Sequence, residues 1–263
     1  MSVVVVLPVK RFADAKQRLA EGGLRPSDRV ALATGMLTDA LEALRRCRRI
    51  DDVVVVTGDA NAEVLARSYG AQVVADEPTD GHSEAAQRGI DWALSEGAFH
   101  ALLLPGDAPA MDPEELDALL ERLSDDPEVV IVPDRHRAGT NALLLTPPDV
   151  IEPSFGDDSC ERHEQLARDA GANVRISELP SLLLDVDTRE DLEALAQVLA
   201  LPRRQVLEIE REHDDRPARD PPQFREPGLG RLPVVHRHAG HRGIDRVVVK
   251  GERLGARVDR RRR

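Results

Sequence analysis

The sequence predicts a three-layer α/β/α fold built on a mostly parallel sheet. Short apolar runs alternate with longer stretches of helical periodicity over the first 200 residues, the rhythm of β-α units. The runs are apolar throughout rather than alternating with polar residues, as strands covered on both faces are. Hydrophobic residues make up 41% of the 263 residues but aromatics only 2%, so the core must consist of Val, Leu, Ile and Ala.

Val3–Leu7 is the first strand. A helix follows over Pro26–Arg46, with Val30, Leu32, Ala33, Met36, Leu37, Ala40, Leu41 and Leu44 at helical spacing and Ser27 or Asp28 as its cap. Asp52–Thr57 is the second strand, ended by Gly58-Asp59. Ala60–Tyr69 is a helix closed by Gly70, and Gln72–Ala75 a short third strand. Ser83–Ser95 is helical, closing near Gly97. Ala101–Leu104 is the fourth strand. Asp112-Pro113-Glu114-Glu115 then starts a helix to Leu123, with Pro at the first position and acids at the positive dipole end. Val129–Val132 and Ala142–Leu145 are strands on either side of Gly139-Thr140-Asn141. Ser159–Ala170 is a helix, Val174–Ile176 and Leu182–Val186 are strands, and Arg189–Leu199 is the closing helix.

The rhythm stops near Pro202. The chain carries 36 basic and 48 acidic residues, net −12. Residues 201–263 hold 17 of the basic and 10 of the acidic ones, leaving 19 and 38 for residues 1–200. Two domains follow: residues 1–200 form the folded domain, and residues 201–263 a basic Pro/Arg-rich tail. That tail has too little apolar surface to offset its ordering entropy and is expected to be disordered. The strongly acidic first part argues against nucleic acid as a partner. No apolar run is long enough for a membrane span or a signal peptide, so a cytoplasmic protein is expected. Cys47 and Cys160 are too few and too scattered for a disulfide framework or a zinc site. The sequence leaves a homodimer open.

Candidate chemistry gathers where strands end. In open α/β sheets ligands bind outside the carboxyl ends of the strands. The run Leu102-Leu103-Leu104-Pro105-Gly106-Asp107 delivers one carboxylate to that edge, and a lone Asp there suits Mg²⁺, which takes one or two carboxylates beside phosphate oxygens. Asp107 could equally stabilise a Pro-Gly turn. After the first strand, Lys10, Arg11, Lys16 and Arg18 form a basic cluster able to neutralise a triphosphate and a departing pyrophosphate. The alternative is a solvated helix face with Lys16 and Arg18 pointing outward. Neither a Walker A motif nor a G-x-G-x-x-G follows the first strand, which argues against a P-loop ATPase and a dinucleotide dehydrogenase. Thr140 offers a hydroxyl beside flexible backbone, and Phe155-Gly156-Asp157-Asp158-Ser159 opens a helix whose start is either an ordinary Ser159 cap or an anion site. Leu184-Asp185-Val186-Asp187 again ends an apolar run in acids, and Asp185 and Asp187 share one face. Gly81-His82-Ser83 follows the third strand at the same edge, within reach of a base or ribose. The other histidines of this part, His100, His136 and His163, are expected in turns or on polar helix faces and are read as incidental.

Five segments together carry a resemblance: Pro8-Val9-Lys10 with Ala15-Lys16-Gln17-Arg18-Leu19, Leu104-Pro105-Gly106-Asp107-Ala108-Pro109, Gly139-Thr140-Asn141-Ala142-Leu143-Leu144, Phe155-Gly156-Asp157-Asp158-Ser159, and Asp185-Val186-Asp187-Thr188-Arg189-Glu190-Asp191-Leu192. In this order they resemble the phospholactate/phosphoenolpyruvate guanylyltransferases of coenzyme F-420 synthesis, Rossmann-like nucleotidyltransferases related to the molybdopterin guanylyltransferases. The resemblance spans residues 3–200. It implies a Mg²⁺-dependent reaction of GTP with phosphoenolpyruvate, 2-phospho-L-lactate or 3-phosphoglycerate that releases pyrophosphate. It further implies that Asp107 and Asp187 or Asp185 hold the metal, and that Lys16, with Lys10 and Arg18, faces the triphosphate. Thr140, Gly156 and Ser159 match the acid's pocket, and Gly81, His82 and Ser83 lie near the guanosine. Relatives often carry Leu-Asn where His82-Ser83 stand. Two other readings are a different pterin- or sugar-directed nucleotidyltransferase and a non-catalytic nucleotide-binding module.

Overall fold

A computed structural model describes residues 2–17, 19, 24–76, 81–183, 235–237 and 247–249. Strand β1 (Val3–Val9) is buried at every position. It pairs in parallel with β2 (Asp52–Thr57) on one side and β4 (His100–Leu103) on the other. Strand β3 (Gln72–Ala75) extends the sheet beyond β2. Among the described residues the sheet has seven strands in the order β3-β2-β1-β4-β6-β5-β7, with β5 at Glu128–Pro133, β6 at Thr140–Thr146 and β7 at Asn173–Ile176.

One strand runs against the rest. β6 is antiparallel to both β4 and β5. The cause is the short β5–β6 connection, since a hairpin can only reverse the chain. Asp134 closes it by accepting the N–H groups of His136, Ala138 and Gly139 at 2.9–3.0 Å. Reversal places the start of β6, Thr140, at the edge where β1, β4 and β5 end. A sheet edge that should collect only strand ends therefore also collects a strand beginning.

Side chains alternate across the sheet, giving two cores. Val3, Val5, Leu7 and Leu102 pack under α1 (Pro26–Leu44), α2 (Ala60–Ser68) and α4 (Pro113–Leu120). Val4, Val6, Val56 and Leu103 pack under α3 (His82–Ser95) and α5 (Ser159–Asp169). Helix α3 lies very close to the sheet because position 89 is glycine: a Cβ there would run into Val6 Cγ1 and sit 3.2 Å from Val56 Cγ2.

Three local expectations are corrected. Helix α1 begins on Pro26 with Arg25 at the cap position, and Asp28 pairs with Arg25 at 2.8 Å instead of capping. Ser159 is the first helical residue of α5; Asp158, with φ 57°, occupies the cap position. Leu182 lies in a single 3₁₀ turn, Pro180–Leu182, and not at the start of a strand. Its carbonyl accepts Asn141 Nδ2 at 2.7 Å, and Ser181 N donates to Glu115 at 3.0 Å, so that backbone is tied by side chains and not by a ladder. The rest of the expected strand and the closing helix lie outside the described residues.

The chain divides into two units, residues 1–201 and 202–263. In the second, Val235–Arg237 and Val247–Val249 pair as an antiparallel ribbon. The expected disorder of the tail otherwise falls outside the described residues. No described helix is long and apolar enough to cross a membrane.

Candidate active site

The loop after β1 is fastened at three points. Phe12 is buried and its N–H donates to Asp59 at 2.8 Å, a carboxylate that also caps α2 through Asn61 N and Ala62 N. Arg29, buried on α1, donates to Ala15 O at 2.8 Å. Lys16 turns inward and sets its Nζ 2.6 Å from Asp107 Oδ2. Its side chain is 3% exposed while that of Asp107 is 46% exposed. The solvated-face alternative therefore fails for Lys16. Lys16 also holds a left-handed backbone, φ 55°, which non-glycine residues adopt rarely. Lys10 stays exposed at the loop mouth.

Two clefts meet at Asp107. One, of about 430 Å³, is lined by Lys10, Phe12, Lys16, His82 and Asp107. The other, of about 790 Å³, is lined by His82, Asp107, Thr140, Gly156 and Ser159. Pro8, Pro105, His82 and Asp107 belong to both. The first carries two lysines, Lys10 and Lys16, with the carboxylates of Asp14 and Asp107. The second carries the Thr140 and Ser159 hydroxyls and Arg135 among four carboxylates, Asp107, Asp134, Asp157 and Asp158, and at its helix start Ser159 N and Cys160 N already donate to Gly156 O and Ala138 O.

The wall between the clefts is built by α3. His82 stands at its first turn, with its ring edge-on to Phe155 at 4.8 Å. Burial and then the nearby Lys10 depress its pKa, against an opposing pull from Asp107. Ser83 Oγ accepts Phe155 N–H at 2.9 Å and so fastens the Phe155-Gly156 loop to α3. That loop is also gripped by Arg162, whose guanidinium donates to Ser154 O, Phe155 O and Asp157 O. Gly156 has φ 110°, which only glycine adopts without strain.

His163 overturns an expectation. It lies fully buried on α5, not on a polar face. Its Nδ1 is 3.0 Å from Thr140 Oγ1, and its Nε2 accepts Ser154 N–H at 2.9 Å. Burial, then Arg162, drives its pKa down to about 4. The signal was present in the sequence. The buried residues of α5 are Ser159, His163 and Ala167, spaced at i, i+4 and i+8, a buried stripe without a large aliphatic side chain. His100 is likewise buried, in β4, bonded to Thr146 Oγ1 at 2.8 Å; it serves the fold.

The structure thus brings Lys10, Lys16, His82, Asp107, Thr140, Gly156 and Ser159 to one edge, with Gly81 and Ser83 flanking His82. Arg18, Asp185 and Asp187 lie outside the described residues. Leu183 lines the larger cleft.

Fold and cleft define an α/β nucleotidyltransferase. The chain is similar in structure to a candidate nucleotide-diphospho-sugar transferase from Desulfovibrio desulfuricans G20, with TM-score 0.62 at 20% identity, covering 81% of this chain and 96% of that one. The family is narrower: residues 3–197 match the family described as guanylyl transferase CofC like, and this chain belongs to it. A phosphoenolpyruvate guanylyltransferase of Conexibacter woesei is 51% identical over 201 residues, 76% of this chain and 90% of the relative. A 3-phospho-D-glycerate guanylyltransferase of Colwellia psychrerythraea is 33% identical over 207 residues, 79% of this chain and 97% of the relative.

Proposed function

We propose that this chain transfers the guanylyl group of GTP to the phosphate of phosphoenolpyruvate, releasing pyrophosphate, as a step toward coenzyme F-420. The observation that carries the reading is the meeting at Asp107 of a cleft that carries Lys10 and Lys16 and a cleft that carries the Thr140 and Ser159 hydroxyls. GTP lies with its triphosphate along Lys10 and Lys16, its guanosine toward Gly81-His82-Ser83. The three-carbon acid lies in the second cleft on Thr140, Gly156 and Ser159. Its phosphate oxygen attacks the α-phosphorus in line, the bond to the β-phosphate oxygen breaks, and pyrophosphate departs along the lysines. No enzyme nucleophile is required, since positioning and charge neutralisation lower the barrier.

Among the described residues no three carboxylate, imidazole or thiol groups gather as a metal cage, and Mg²⁺, which takes one or two carboxylates beside phosphate oxygens, would rest on Asp107. Asp107 offers a hard, half-exposed carboxylate at the junction, and the Lys16 ammonium against it shows that the position accepts positive charge. Mg²⁺ bound there supplies charge neutralisation to phosphate oxygens as negative charge shifts onto the leaving group. By family resemblance Asp187 or Asp185 completes the set. Lys16, beside Asp107, would then face the phosphate oxygens together with the metal.

Phosphoenolpyruvate is favoured over 3-phosphoglycerate by the higher identity to the Conexibacter relative. Pyrophosphate release from GTP is to be measured with phosphoenolpyruvate, 2-phospho-L-lactate and 3-phosphoglycerate in turn, with and without Mg²⁺. The expected result is release that needs the metal and is fastest with phosphoenolpyruvate. Silence with all three acids overturns the proposal.

A further inference from the structure

We infer that His163 fixes the direction of the Thr140 hydroxyl, making Thr140 a hydrogen-bond donor to the anionic acceptor substrate. The inference rests on the placement of the acid in the Thr140 cleft.

The geometry leaves one proton arrangement. A backbone N–H can only donate, so the 2.9 Å contact from Ser154 N requires a bare lone pair on His163 Nε2. The ring proton must then sit on Nδ1. There it donates across 3.0 Å to Thr140 Oγ1. The hydroxyl oxygen is thereby an acceptor toward His163, and its own hydrogen is left for the cleft that Thr140 lines. The opposite tautomer would take the Thr140 hydrogen for itself and turn oxygen lone pairs toward an incoming carboxylate or phosphate. One buried ring therefore decides whether Thr140 offers the anion a hydrogen or a lone pair. Second-layer partners commonly set a ligand group's orientation in this way. His163 touches no substrate; it is a positioning residue.

The same ring links two parts of the pocket. Ser154 precedes the Phe155-Gly156 loop, and Thr140 opens β6. Through one imidazole, the position of the loop and the polarity of the hydroxyl are set together. Since burial keeps the ring neutral down to about pH 4, the arrangement persists across the working pH range of a cell.

The experiment compares steady-state kinetics of the full chain and its variants, with pyrophosphate release as readout, GTP and the acid varied separately, and melting followed in parallel. T140V is expected to raise KM for phosphoenolpyruvate about 10- to 100-fold with KM for GTP within about twofold, the range for a lost hydrogen bond to a charged group. His163→Gln places its amide oxygen where Nε2 was and keeps the Ser154 bond, but nothing then donates to Thr140; KM for the acid is expected to rise about tenfold. His163→Asn places its amide N–H where Nδ1 was and is expected to recover most of that loss. The double variant T140V/H163Q is expected to match T140V, because both act through one hydroxyl. A purely structural histidine would give the reverse order, Asn worse than Gln, since only Gln preserves the tie to the loop. That order, or an H163Q enzyme with unchanged KM for the acid beside an impaired T140V, overturns the role of His163 and leaves the acid's placement standing. An unchanged KM in T140V overturns both. Nitrogen NMR of the His163 ring gives an answer independent of turnover and of variant folding: a protonated Nδ1 with bare Nε2 is expected, and a proton on Nε2 refutes the inference.

Discussion

Lys16 Nζ stands 2.6 Å from Asp107 Oδ2, joining the loop after β1 to the loop after β4 across the mouth of the cleft. The ammonium is buried and the carboxylate half exposed, so the pair is asymmetric: the lysine is held, and the acid faces the solvent-filled cleft. The ammonium is taken out of water, so removing the carboxylate it faces would leave its charge poorly compensated. The value of the pair is in charge placement.

Asp107→Asn follows directly. The substitution keeps the shape of the side chain and removes the anion, leaving the buried Lys16 ammonium against a neutral amide, so the melting temperature should fall. Pyrophosphate release should fall at least about 100-fold, because a neutral amide neither anchors Mg²⁺ nor balances Lys16 at the point where both clefts meet. A loss smaller than about tenfold, 1.4 kcal/mol of barrier, would mean that Asp107 holds no metal.

Lys16 carries a second expectation because of its backbone. At φ 55° an alanine retains the Cβ clash that glycine lacks. Lys16→Gly should therefore be more stable than Lys16→Ala by about 1 kcal/mol, the opposite of the order found in ordinary helical positions. Both variants lose the ammonium, and both should lose pyrophosphate release about equally. Chemical denaturation of the two, side by side, checks the first statement, and turnover checks the second.

Much of this was legible from residues in a row. The inner strands β1, β2, β4, β5 and β6 fall where the longer apolar runs lie, since a strand covered on both faces is apolar along its buried length, while the edge strands β3 and β7 are short and half exposed. Asp107 and Thr140 were legible because each stands where an apolar run meets a turn. Lys16 was half legible: the charge was visible, but its inward turn depends on a left-handed residue that spacing does not encode. His163 was missed because its two partners, Thr140 at the start of β6 and Ser154 N–H, are brought to it by the fold, and the buried stripe of α5 lacks the large aliphatic side chains that usually mark one. The 3₁₀ turn at Pro180–Leu182 was missed for a related reason. An apolar run reads as a strand until a distant side chain, here Asn141, takes its carbonyl.

Acid sensitivity should trace to His163. Its folded pKa is near 4 against an ordinary 6.5, so between those values the unfolded chain binds the extra proton. Stability is then fully present above about pH 6.5 and is lost as pH falls toward 4, by on the order of 3 kcal/mol for this group alone. Depressed His82 and His100 act in the same direction. Denaturant titrations from pH 7 to pH 4.5 should show falling midpoints in the native chain and a shallower fall in His163→Asn. Parallel slopes would assign the acid lability to other groups.

Gly89→Ala sets two magnitudes against each other. In a helix interior alanine is favoured over glycine by about 1 kcal/mol. Here the added methyl would meet Val6 Cγ1 and lie 3.2 Å from Val56 Cγ2, two fully buried side chains of neighbouring strands. Overpacking of that kind costs about 1–3 kcal/mol and exceeds the helical gain. The variant should melt a few degrees lower, at about 2–4 °C per kcal/mol for a domain of this size. The displaced helix would also carry His82 away from the wall between the clefts, raising KM for GTP. A variant that melts higher, with KM for GTP unchanged, would show that α3 moves freely against the sheet and that its close seat is not what positions the nucleotide side of the site.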